Sequence, residues 1–238
     1  MDVQRLLDGF LGNGSGSTSK SGLGGMAGGL ADKMPGGLMG GAAAGGLVAA
    51  LLSSKKARKL GGKALTYGGL AVLGGLAYKA WSDHRANRPE AAATDAPPAA
   101  PADSGFDPAR LRDSRGDDFR LTLVRAMVSA SLADGHIDER EQAMIDQQIG
   151  ATDLAEDERR FISDQLDRPA DPIAIASLCA DEPQATEVYL ASLVVLDPGI
   201  PGDARYRQRL GDALRLPDDL RRRLEREVEV HLRSPEAV

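Results

Sequence analysis

The sequence predicts an all-α fold, and three observations carry that prediction. Apolar residues in the C-terminal half recur at three- and four-residue spacing, the period of one helix face. Asp, Gly and Pro stand at the ends of those runs, where helices start and stop. Nowhere do Val, Ile and Thr alternate with polar residues as they would along a half-buried strand. The helices are not spread evenly over the 238 residues, because 22 of the 28 glycines fall by Gly105. Charge divides at the same place: the N-terminal part carries +4 and the remainder −10, giving the net −6.

From the N-terminus, residues 1–10 spell a short amphipathic segment, and the Gly/Ser run that follows is too flexible in composition to pack, so 1–33 reads as a flexible region. Residues 34–85 read as membrane-associated. No charge occurs between Lys33 and Lys55, and a helix of that length spans about 30 Å of hydrocarbon. Gly37, Gly41 and Gly45 fall at the spacing that lets helices approach closely in lipid, which predicts a homo-oligomer through that face. A flexible Gly/Ala linker is the other reading of this stretch. A second span is expected over Leu60–Trp81, where Lys63 and Lys79 flank a Leu-rich run and Trp81 suits the interface. Residues 86–105 are an Ala/Pro-rich linker with no apolar periodicity.

Residues 106–233 form the helical domain. Asp117 and Asp118 precede a stripe of Phe119, Leu123, Met127 and Ala130, and Gly135 ends that helix. Asp138 caps the next, with Ile145 and Ile149 inward and Gly150 at its stop. A third runs from Glu156 to Leu166, and Pro172 opens a fourth. The apolar run Val188–Leu196 reads as a central buried helix, broken by Pro198, Gly199, Pro201 and Gly202. Two more follow, from Asp203 to Leu214 and from Pro217 to about Leu232, the last with Leu220, Leu224, Val228 and Leu232 at four-residue spacing.

One stretch holds site chemistry. Residues 133–141, ADGHIDERE, match the second half of a calcium-binding EF-hand loop through Asp134, Gly135, Ile137, Asp138 and Glu141. The first-half ligand positions fall on Ala130 and Leu132, which supply no oxygen. Two readings stand. Asp134, Asp138 and Glu141 are three carboxylates in one turn, able to hold a hard divalent cation with water. The same residues also make a helix–turn–helix, with Gly135 as a left-handed cap, Ile137 as a staple, Asp138 as the N-cap and Glu141 as its capping-box partner.

ADGHIDERE, together with the later VYLASLVVLDPGIPGDARYRQRLGDALRLP, resembles the TerB-like domain of tellurite-resistance proteins. The whole chain, through SSKKARKLGGKALTYGGLAVLGGLAYKAW, resembles the YebE-like family of bacterial inner-membrane proteins. The resemblance implies an all-α domain of two similar halves, location at the bacterial inner membrane, and cation binding through acidic residues. It adds a second acidic motif, in which Asp197 keeps the leading acid, Gly199 replaces another, and Asp203 stands for a Glu.

Other classes are disfavoured. The acidic C-terminal half does not suit a nucleic-acid backbone. A single Cys excludes an internal disulfide and a Cys-based zinc site. His84, His136 and His231 are scattered, and no phosphate-binding loop or nucleophile–base grouping is present. The expectation is a membrane-anchored, non-enzymatic interaction or stress-response module with a protein partner. The alternative is a divalent-metal or metalloid-handling protein using the acidic turns.

Overall fold

The computed structural model describes residues 1–11, 70–88, 99–135, 143, 145–147, 149, 150, 152 and 154–232. Their regular structure is helical, and the only strand-like pairing among them is an isolated bridge between Arg112 and Asp118. The helices are α1 (Val3–Leu11), α2 (Leu70–Arg85), α3 (Phe119–Ser131), α4 (Glu156–Leu166), α5 (Pro172–Ala176), α6 (Glu182–Val195), α7 (Pro201–Ala213) and α8 (Asp218–Glu227). A wider π turn, Val228–Leu232, continues α8.

Local chemistry sets most of these limits. The Asp118 carboxylate accepts from Arg120 N at the start of α3. Asp171 accepts from Ile173 N and Ala174 N ahead of Pro172, and Asp181 accepts from Gln184 N ahead of Pro183. Each satisfies donors that a helix start leaves open, and proline at the first positions loses nothing by lacking an N–H. The helix expected after Gly135 is seen in part: residues 145–147, 149 and 150 are helical, and Ile145 is buried.

α6 is the axis of the bundle. Every residue from Gln184 to Val195 is buried, with α3 and α2 packed along it and α7 and α8 completing the shell. Its polar side chains are mostly satisfied within the fold. Thr186 donates to Glu182 O, Ser192 donates to Val188 O, and Gln184 bridges Arg112 O and Ala180 N.

Two parts of the N-terminal region belong to this bundle. α1 buries Leu6, Leu7, Phe10 and Leu11 against it, where each large apolar side chain contributes about 1.5–3 kcal/mol. The buried Glu158 carboxylate accepts from Asp2 N at 3.0 Å and from Ala155 N at 2.8 Å, tying α1 to the start of α4. The amphipathic segment read over 1–10 is thus a helix docked on the bundle, and the Gly/Ser run over 12–33 lies outside the described residues.

α2 corrects the second expected span over its described half. Leu73, Leu76, Ala77 and Ala80 face α6 and α8 rather than outward. Lys79 pairs with Glu227, and Trp81 lies 5.4 Å from Phe106, donates to Glu182 Oε1 and carries the Arg85 guanidinium over its ring. Lys79 and Trp81, which read as interfacial anchors, thus have protein partners, and Lys63 lies outside the described residues. No helix among the described residues is long and apolar enough to cross a membrane. Gly37, Gly41, Gly45, the first apolar stretch and residues 60–69 lie outside the described residues.

Candidate functional site

The acidic turns come first because the sequence singles them out. α3 ends in a tight turn in which Gly135 N donates to Leu132 O, and Gly135 takes φ +81°, the left-handed cap that its sequence context suggests. Asp134 sits in this turn. On the other side, Asp203 lies in the first turn of α7, only 1% exposed, and its Oδ2 accepts from Asp197 N at 2.7 Å. Asp197 Oδ1 accepts from Gly199 N at 2.8 Å. A carboxylate in the first helical turn also suits the helix dipole.

Gly202 joins the two turns. A Cβ there would stand 2.8 Å from Asp134 Cα and 3.0 Å from Ala133 O, so the backbones meet only because the side chain is missing. The fold thus brings Asp134 beside the turn that holds Asp197 and Asp203. Asp138 and Glu141 lie outside the described residues, as does His136. Among the described residues no group of three or more His, Cys, Asp and Glu side chains is placed to hold a metal ion. Asp197 and Asp203 serve as acceptors that close the connection between α6 and α7.

A second acidic feature was not legible in the sequence. Glu187 on α6 is 1% exposed, and neither carboxyl oxygen has a hydrogen-bond partner. Burial, reinforced by the negative charges of Asp107 and Asp181, pushes this carboxyl up to about 9. It lies under α2 at Gly74, where a Cβ would be 2.5 Å from Phe106 O and 3.1 Å from Glu187 Oε1. At neutral pH Glu187 is therefore an uncharged group at the joint between α2 and the bundle.

A third feature is a cavity of about 500 Å³ between α3, α4 and α5, edged by Arg115, Arg125 and Arg168. The only early signal for it is the placement of Arg125 and Ser129 four residues apart, on one face of α3. Cys179 is half-buried, and burial pushes its thiol up to about 12, so it is a neutral thiol rather than a thiolate at neutral pH. His84 Nδ1 lies 2.6 Å from Asp219 Oδ2, linking α2 to α8 instead of joining a metal site.

Comparison with known proteins places these features in a family. The model for "Protein of unknown function (DUF533)" matches residues 37–228, which takes in both the glycine-rich apolar region and nearly all of the bundle. The chain belongs to the DUF533 family. A similar protein in this comparison is an uncharacterised protein in the ampR 5′ region of Yersinia enterocolitica. It is 32% identical over 106 residues, covering 44% of this chain and 76% of that protein. No solved structure matches the chain.

Proposed function

We propose that this DUF533 protein is a membrane-associated, non-enzymatic interaction module of the bacterial inner membrane, YebE-like in its whole chain and TerB-like in its bundle, acting in a stress response. The observation that carries the reading is the seat of α2. The apolar, lysine-bearing stretch runs directly into a helix whose Leu73, Leu76 and Ala77 are built into the core. A membrane contact made before residue 70 therefore precedes, in the same chain, a helix seated in the bundle. The family match, which spans both regions, supports treating them as one unit.

The test is fractionation of the full-length protein after a carbonate wash, beside a variant lacking residues 34–54. Retention of the full chain and release of the variant is the expected result. Release of both overturns membrane association.

A second reading, cation or metalloid handling, is favoured by one observation: Gly202 lets the Asp134 turn sit against the turn of Asp197 and Asp203. Asp138 and Glu141 complete the proposed ligand set. Calcium, magnesium or manganese should then raise the melting temperature, and Asp134→Ala with Glu141→Gln should abolish the rise. Identical melting with and without each ion removes this reading.

A further inference from the structure

The cavity between α3, α4 and α5 is set apart from the acidic turns by its chemistry. Arg125 projects from α3 with its guanidinium 5.3 Å from the Phe161 ring centroid, and its side chain is 19% exposed. The carboxylates behind it, Asp113 and Asp117, stand at 3.7 Å, beyond hydrogen-bond reach, and its Nη1 has no hydrogen-bond partner. The Asp113 carboxylate is itself committed, accepting from Arg115 N, Asp117 N and the Thr122 hydroxyl. Arg125 is therefore oriented by negative charge without having its donors consumed. At the rim, Arg115 and Arg168 make no ion pair among the described residues.

One turn beyond Arg125, Ser129 marks the inner end. Its oxygen accepts from Asp171 N at 3.2 Å and shares a 2.9 Å hydrogen bond with the buried Tyr206 hydroxyl. Two hydroxyl protons meet there and one hydrogen bond joins them, which leaves one proton to donate. Of the acids lining the cavity, Asp171 is spent on capping α5, and Asp164 is the remaining one. The opposite wall is apolar, with Ile175 and Leu178 nearly buried. Three arginines, a hydroxyl donor and an apolar wall around a space of this size match one ligand chemistry.

We propose that this cavity binds a phosphate monoester carrying a compact apolar body, with the phosphate held by Arg125, Arg168 and the Ser129 hydroxyl and the apolar part against Ile175 and Leu178. The phosphate belongs either to a soluble ester or to an anionic lipid headgroup. The site does not depend on the membrane or cation readings above.

Calorimetric titration of the full-length protein with phenyl phosphate tests it, with phenol as the uncharged control. Phenyl phosphate binds and phenol does not, and Arg125→Met and Arg168→Glu each weaken binding by about tenfold or more. Arg168 is exposed, so Arg168→Glu carries the test alone if circular dichroism shows that Arg125→Met is unfolded. Sedimentation with phosphatidylcholine vesicles, with and without phosphatidic acid, separates the two sources. Capture by phosphatidic acid that phenyl phosphate reverses identifies a headgroup, and binding of phenyl phosphate without such capture identifies a soluble ester. Absence of phenyl phosphate binding, or binding unchanged in Arg168→Glu and in folded Arg125→Met, overturns the proposal.

Discussion

Replacing Glu187 by Gln should stabilise the protein more and more as the pH rises. The carboxyl titrates near 4.5 in an unfolded chain and near 9 in its buried position beneath α2. Between those values the folded state holds a proton that the unfolded state has lost, so stability falls with increasing pH. Each pH unit in that window costs about 1.4 kcal/mol, and the interval from pH 5.5 to 8.5 costs about 4 kcal/mol in total. The penalty is nearly absent below pH 4.5 and complete above pH 9. Gln keeps the size and the uncharged state of the protonated acid but has nothing to titrate. Urea denaturation from pH 5 to 9, followed by circular dichroism, should give a profile for Glu187→Gln that separates from the parent by that slope. The variant should be more stable by about 5 kcal/mol at pH 8.5, a shift of roughly 10–20 °C in melting temperature. Parallel profiles would show that Glu187 stays ionised when folded, and the account of its burial would fail.

Three further outcomes follow from close contacts and special backbone. Gly74→Val forces side-chain atoms onto Phe106 O and Glu187, and should lower the urea midpoint by an amount equivalent to about 2 kcal/mol or more; an unchanged midpoint refutes the close seat of α2. Phe10→Ala removes a fully buried ring and should cost about 3–5 kcal/mol, with α1 becoming sensitive to protease before the rest of the bundle; equal protease resistance argues against its docking. Gly135→Ala meets no atom of the described residues within 4 Å, so its expected cost is that of the left-handed backbone, about 1–2 kcal/mol in a thermal melt; a neutral result would mean that the turn does not adopt φ +81°.

The C-terminal helices were legible because their start signals are local. Asp118, Asp171 and Asp181 each bond a backbone N–H within three residues, so their role is written beside the helix that they begin. α1 and α2 were not, since their partners are distant in sequence. A helix face that packs on protein has the same Leu and Ala composition as one that packs on lipid, and Lys79 and Trp81 serve an ion pair and a ring contact as readily as a membrane boundary. Glu187 escaped because α6 is buried on all sides and shows no polar face against which the exception would stand out. The arginine cavity draws its walls from three separate helices, and only the pair on α3 carries a periodic signal. The acidic turns were visible as motifs, yet their contact depends on the missing side chain of Gly202, which the sequence shows only as one more glycine in a break.

The docking of α1 and α2 on one core also bears on the proposed membrane contact. Leu11 and Leu70 are both buried in that core, so the two points lie on the same side of any membrane beside the bundle. Crossings between two such points come in even numbers. The uncharged stretch between Lys33 and Lys55 is the one run in that interval long enough to span hydrocarbon, and a single passage through it would strand α1 on the wrong side of its own core. For the proposed membrane association the expected outcome is therefore that reporters placed before α1 and after α8 answer from the same compartment.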